Sequence, residues 1–181
     1  MLENYKKIPV KTIYMEMLEK PVFNFEIPEN ITFLKINIVD IEEYKSIYKK
    51  AGDTWGWSGR LIMSDTELKN TLSSYKDEVY FMKINKKVAG FFELNRHNDT
   101  DVELVYMGLF DDYIGKGYGK ILLNFIKKVA WNYEAKRFWL HTCEFDHINA
   151  IKNYEKAGFS IYDEKTEEEY YPIEFLKKHK K

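Results

Sequence analysis

Residues 103–120, ELVYMGLFDDYIGKGYGK, run from an alternating apolar segment through three glycines at every second position (Gly115, Gly117, Gly119) into a helical pattern. Glycine tolerates the backbone bends that turn several N–H groups toward one anion, and a helix starting there adds unpaired amides and a partial positive charge. With Lys116 and Lys120 between and after the glycines, the segment reads either as a pyrophosphate cradle or as a plain glycine-rich turn. Two familiar phosphate loops are excluded. A Walker loop needs Ser or Thr after its lysine, and Ile121 follows Lys120. The dinucleotide fingerprint needs G-x-G-x-x-G at the opening of a βαβ unit, whereas the spacing is G-x-G-x-G after an apparent meander. A phosphate ligand here is of another kind.

Working outward, Ile121, Leu122, Phe125, Ile126, Val129 and Tyr133 recur at helical spacing, which leaves Lys120, Asn124, Lys127 and Lys128 for the outer face. A strand is predicted at 137–143, then a helix over 147–157 capped by Asp146 and ended by Gly158, and a last strand from Phe159. Upstream, 78–84, 87–95 and 101–110 read as three strands of a meander, the first two joined by Asn85 and Lys86, the second two by His97 to Thr100. Before them come a strand at 31–39, a helix at 41–51 stopped by Gly52, a Gly/Trp-rich connection and a short helix near 65–75 capped by Asp65. Lys11 to Leu18 adds one possible strand. The alternation predicts a mixed α/β (α+β) fold with its main domain over 31–162, an N-terminal extension 1–30 and a charged segment 163–181. In that segment EKTEEE (164–169) and the closing KKHKK read as solvated.

Composition narrows the function classes. The 181 residues suit one domain, and 45% hydrophobic with 17% aromatic residues supply a core. Lys and Arg (28) nearly balance Asp and Glu (29), a formal charge of −1, so no global attraction to nucleic acid or anionic membrane is expected. A single cysteine, Cys143, forms no internal disulfide and builds no zinc site alone, and no metal is implied. No apolar run approaches the ~18 residues of a membrane span, and the start, MLENYKKIPV, lacks a signal-like apolar stretch. A cytoplasmic address is the expectation.

A second motif lies downstream. Residues 146–159, DHINAIKNYEKAGF, place Asn149, Tyr154, Gly158 and Phe159 in an N…Y-x-x-x-G-F pattern. Together with the GKGYG loop and its helix, in this order and with a strand between, the chain resembles the GNAT superfamily of N-acetyltransferases across roughly 31–162. The two segments are similar to that superfamily's motifs A and B. There are two departures: Ile114 stands where motif A usually has Gln or Arg, and Ala150 follows Asn149 more closely than usual. The resemblance implies a strongly bent mixed sheet of about six or seven strands. It also implies acetyl-CoA as co-substrate, held by Met107, Gly108 and Leu109 on the strand and by Ile114, Gly115, Lys116, Gly117, Tyr118, Gly119 and Lys120 in the loop. Asn149 would bind the pantetheine arm, beside the space left by Ala150. The Met107 N–H would stabilise the oxyanion and Tyr154 would protonate the departing thiolate.

By period-two counting Glu103 shares a face with Val105, Met107 and Leu109, where desolvation would raise its pKa toward a general base's range. The resemblance places a histone-type base at the same spacing from the loop; a salt-bridged glutamate is the alternative, and Glu93 is the reserve candidate. Trp55 and Trp57, among Gly52, Gly56 and Gly59, would either wall an acceptor pocket or anchor their loop. Cys143 with His141 or His147 could form a ping-pong nucleophile, but a strand cysteine is more often packing, and the superfamily transfers directly. The expected activity is acetyl transfer from acetyl-CoA to a primary amine, carried by a small molecule, peptide or protein. A non-catalytic acyl-CoA-binding module and an enzyme for longer acyl-CoAs are the rivals, and monomer or homodimer stays open.

Overall fold

The computed structural model describes residues 2–37 and 40–179. Seven strands form one sheet in the order β2-β3-β4-β5-β6-β1-β7. In chain order the elements are β1 (Tyr5–Met17), β2 (Ile31–Ile36), α1 (Ile41–Gly52), α2 (Asp65–Leu72), β3 (Asp77–Ile84), β4 (Lys87–Asn98), β5 (Asp101–Leu109), α3 (Tyr118–Ala130), β6 (Arg137–Cys143), α4 (Ala150–Lys156), β7 (Ser160–Pro172) and α5 (Ile173–Lys178).

The expected meander is present. Asn85 and Lys86 both take positive φ, 50° and 68°, which matches the right-handed twist of a two-residue hairpin between β3 and β4. β5 then meets β6 through α3, a parallel pairing that requires a crossover helix. All other neighbours pair antiparallel.

The core has two main layers. One, including Phe92, Leu94, Leu104 and Phe138, takes Leu122, Ile126 and Val129 from the apolar stripe of α3. On the other, α1 and α2 bring Tyr44, Tyr48 and Leu68 onto Val79, Phe81 and Phe91. Lys127, expected on the outer face of α3, is instead buried and donates from Nζ to the Ala157 carbonyl at 3.0 Å.

Several expected boundaries move. The strand expected at Lys11–Leu18 is the longer β1, and it lies inside the sheet between β6 and β7. The charged segment expected at 163–181 supplies most of β7 and all of α5, which closes a third cluster of Ile8, Val10, Tyr171, Phe175 and Leu176. The acidic run therefore belongs to an edge strand, where charged side chains discourage pairing with other chains. The strand expected to 39 ends at Ile36; residues 38 and 39 lie outside the described part. Two caps also differ. Ser64, not Asp65, caps α2 in a box with Glu67. Asp146 does not cap α4, which starts later behind Asn149; its Oδ2 instead accepts from Thr142 Oγ1 (2.7 Å) and the Cys143 N–H (2.9 Å), back onto the end of β6. No helix among the described residues is long and apolar enough to cross a membrane.

Removing residues 1–18 would leave β6 and β7 without the strand that joins them. We expect the truncated chain to lose the cooperative thermal transition of the full chain by circular dichroism. A retained cooperative melt would show that the sheet closes without β1.

Candidate active site

β5 and β6 pair only through Asp101–Leu104 and Arg137–Leu140, after which the two strands part. A register shift sits at this point: Leu94 pairs with Leu104 and Glu93 with Tyr106, so Val105 is the extra residue of a β-bulge. A bulge bends its strand and sharpens the local twist. Into the opening runs a cavity of about 980 Å³, lined by the end of β5, the glycine loop, the inner sides of α3 and α4, the 55–59 loop and part of β7.

The glycine loop forms the rim on the α3 side. Gly115 and Gly117 have φ of +77° and +84°, and a Cβ added at either would meet nothing within 4 Å. Backbone conformation, rather than space, demands glycine there. Gly117 precedes α3 without any side-chain cap, so the first amides of the helix, before Lys120 N–H bonds the Gly117 carbonyl at 3.2 Å, have no intrahelical partner. Lys116 donates from Nζ to the Asp112 carbonyl (2.6 Å), and Ile114 packs on the core beneath. Lys120 lines the cavity with Lys127 and Lys156, so the three lysines of the wall all lie on its α3–α4 side. Burial lowers the pKa of Lys127.

The face of α4 toward the cavity carries Asn149, Ala150, Asn153 and Tyr154, with small Ala150 one turn before the tyrosine. The Tyr154 phenol has no hydrogen-bond partner among the described residues. Burial, reinforced by the Asp146 carboxylate, pushes its pKa far above the usual phenol value, so it holds its proton.

The bulge overturns the expected placement of Glu103. Leu104 and Met107 both pack on the α3-side core while Tyr106 packs on the other, so Glu103 shares the face of Tyr106 rather than that of Met107. It is buried just outside the cavity wall, with His97 Nε2 2.7 Å from Oε2 and His141 Nδ1 3.5 Å from Oε1. Burial alone would raise its pKa, but hydrogen bonds from His141 and then His97 hold it below the ordinary glutamate value, the opposite of the expected shift. Glu93 is fully buried too. Arg60 forms an ion pair with it and the Tyr44 hydroxyl donates to Oε2 at 2.6 Å, so it holds the α1 layer together and does not reach the cavity.

The far end of the cavity is aromatic and anionic. Trp55 lies edge-on to His147 at 5.5 Å, and Trp57 packs against Tyr48 and Tyr106. Trp57 lines the cavity and also anchors its loop: it fills the space above Gly52, where an added Cβ would strike it, and crowds Gly108 together with Ala51. Its Nε1 donates to Asp146 Oδ1 at 3.4 Å. Glu168 and Glu169 from β7 complete this end, and burial raises the pKa of Glu169. Cys143 lines the wall, with Sγ 3.3 Å from the Tyr171 hydroxyl; burial and then the Asp146 charge push its pKa up to about 12. A thiol so far from ionisation is a poor nucleophile at neutral pH.

Of the expected site residues, Met107, Gly108, Leu109, Ile114, Gly115, Gly117, Gly119, Lys120, Asn149, Tyr154, Trp55 and Trp57 all line this one cavity. Tyr118 packs on the core instead, Lys116 points back to its own loop, and Glu103 and Glu93 stand outside the wall. The partnership of His141 with Glu103, the buried Lys127 and the two β7 carboxylates went unread. Their meeting depends on long-range pairing and on the bulge, for which no local pattern exists.

The description "Acetyltransferase (GNAT) family" matches residues 44–159. A mycothiol acetyltransferase of Corynebacterium efficiens is 32% identical over 84 residues, 46% of this chain and 28% of that protein, so the match spans little more than a quarter of the relative's length. Among solved structures, a GNAT family acetyltransferase of Elizabethkingia anophelis with acetyl-CoA bound superposes with TM-score 0.58 at 21% identity, covering 75% of this chain and 79% of the other. A GCN5-related N-acetyltransferase of Sphaerobacter thermophilus gives TM-score 0.62 at 16% identity, covering 91% and 53%. At such identities the likeness is one of fold.

Because the space beside Gly117 is open, Gly117→Ala should cost backbone strain only, about 1–2 kcal/mol of stability. Gly117→Asn should cost less, since Asn enters the left-handed region more readily. Denaturant midpoints check this; equal losses for Ala and Asn would show that something other than backbone conformation selects the glycine.

Proposed function

The chain belongs to the GNAT acetyltransferase family, and on that premise we propose that it transfers the acetyl group of acetyl-CoA to a primary amine by direct attack in a ternary complex. The observation that carries this reading is one continuous cavity that joins the glycine loop, the Tyr154 hydroxyl and an aromatic, anionic end. Acetyl-CoA is consumed in this reaction and is therefore a substrate.

The two ends of the cavity suit opposite charges. Lysines line only the α3–α4 side, where the loop amides and the α3 N-terminus already favour an anion. That side suits the pyrophosphate, with Asn149 and Ala150 along the pantetheine path. Carboxylates Glu168 and Glu169 stand with Trp55, Trp57 and Tyr106 at the other end, which suits an ammonium group through Coulomb and cation–π attraction.

The acceptor arrives as an ammonium ion and must lose a proton before its nitrogen attacks the thioester carbon. The Met107 N–H is the donor this reading assigns to the oxyanion, on the stretch of β5 beyond its pairing with β6. Tyr154, held protonated by burial, then gives its proton to the departing sulfur. The high pKa of Cys143 disfavours an acetyl-cysteine intermediate and so supports direct transfer. The single thiol and balanced charge fit a cytoplasmic enzyme, acting as monomer or homodimer.

Acetyl-CoA at 100 times its Kd should stabilise the chain by about 2.7 kcal/mol, a shift in Tm of roughly 5–11 °C at this size; ATP and NAD should give none. Free-thiol release with a panel of alkyl amines then reports transfer, and no shift with acetyl-CoA or any longer acyl-CoA would sink the reading. Tyr154→Phe should keep the acetyl-CoA melting shift while kcat falls by about 10²-fold. An unchanged kcat would remove Tyr154 from the chemistry.

A further inference from the structure

His141 stands where the sheet opens. Its neighbour Leu140 is the last residue of β6 to pair with β5, so His141 is the first beyond the join, and it lines the cavity. Behind it Glu103 faces both His141 Nδ1 (3.5 Å from Oε1) and His97 Nε2 (2.7 Å from Oε2). The His97 ring lies over Trp139 at 5.4 Å and 26°, and its side chain is 45% exposed. The three side chains therefore form a line from the cavity, through a buried carboxylate, to the outer surface.

We propose that His141 accepts the proton of the acceptor ammonium, with Glu103 as the positioning residue behind it and His97 holding the other carboxylate oxygen in place. The proposal rests on the acetyl-transfer reading of the same cavity and assigns its missing proton acceptor. A carboxylate beside Nδ1 fixes the N–H there and leaves the lone pair of Nε2 for the cavity. Glu103 itself cannot take that proton directly, because it lies outside the wall with one oxygen turned to each imidazole.

The charged and titratable groups facing His141 are Glu103 from β5, Glu169 from β7, Asp146 from the turn after β6, and Tyr14 of β1, whose ring lies at 5.9 Å. Burial opposes the imidazolium, but Glu103 and then the other two carboxylates outweigh it and raise the pKa. A base tuned upward in this way takes a proton from an ammonium more readily than an ordinary imidazole does.

The balance closes. One ammonium proton passes to Nε2 of His141, and the freed nitrogen pair forms the C–N bond. The C–S bond then breaks with its electrons on sulfur. Tyr154 protonates the sulfur and is restored by the second proton the nitrogen sheds. One proton remains on Nε2 of His141; it passes to water in the cavity once the products leave, which restores the Nε2 lone pair while Nδ1–H stays turned to Glu103.

Two independent measurements test this. Without any substrate, NMR titration should show the His141 imidazole titrating about a unit or more lower in Glu103→Gln than in the native chain, as loss of an adjacent opposite charge requires. In turnover with phenethylamine, which is protonated at pH 7, His141→Asn and His141→Gln should lower kcat/KM by 10²–10⁴-fold and regain activity as pH rises. With aniline, neutral at pH 7, their loss should shrink to under tenfold. Glu103→Gln should move the acid limb of the native kcat/KM profile to lower pH without abolishing it, and His97→Gln should slow turnover less than either His141 variant. His141 variants that fold and keep the native profile would overturn the proposal while acetyl transfer stands. A native chain that shows no melting shift with acetyl-CoA and no thiol release would overturn the transfer reading and this role with it, whatever the imidazole titration shows.

Discussion

The limited pairing of β5 with β6 governs the functional architecture. Parallel neighbours normally continue side by side until one strand ends, but here four register pairs are followed by separation at the Val105 bulge, with five residues of β5 and three of β6 still to run. A sheet cannot open in its middle without leaving backbone groups bare, and these groups are tolerable only where a polar ligand or solvent reaches them. The glycine loop follows from the same opening. It lies at the end of the diverging strand, and α3 begins there without a side-chain cap. The two main core layers stay continuous on either side because the antiparallel pairs hold β1 to β6 and β4 to β5.

Charge follows this geometry. Lysines gather on the helix side of the opening and carboxylates on the β7 side, so a near-neutral chain encloses a polarised cavity. Net charge, a sum over the whole surface, carries no information about such a separation. The same site shows why burial alone is a poor guide to protonation. Glu93 and Glu103 are both buried carboxylates, yet the first is raised by desolvation despite Arg60, and the second is lowered by its two histidines.

Local features of the fold were legible in the sequence because their signals are local. The hairpin at Asn85–Lys86, the stripe of α3, the stop at Gly158 and the spacing of Gly115 and Gly117 each depend on residues within a few positions. The two motifs, read together, placed Tyr154, Asn149 and the loop on one cavity, as the structure does. The face of Glu103 was misread because strict alternation fails across a bulge, and no residue type at Val105 marks one. β1 looked like an appendage because its partners lie more than a hundred residues downstream. The acidic run of β7 looked like a tail because an edge strand and a solvated tail carry the same polar residues. His141 and Glu103 come together only once the parallel register is set.

The position of β1 also constrains how the chain is made. Tyr5 pairs with Pro172 and Thr12 with Cys143, so β1 waits for β6 and β7, more than a hundred residues downstream, before it finds its place. Until then β2 to β5 can assemble as a local meander, but the apolar residues of β1, among them Val10 and Met15, remain uncovered. High contact order of this kind slows folding and prolongs the exposure of sticky intermediates. Synthesis in the cell therefore depends on keeping β1 from other chains until β6 and β7 have been made.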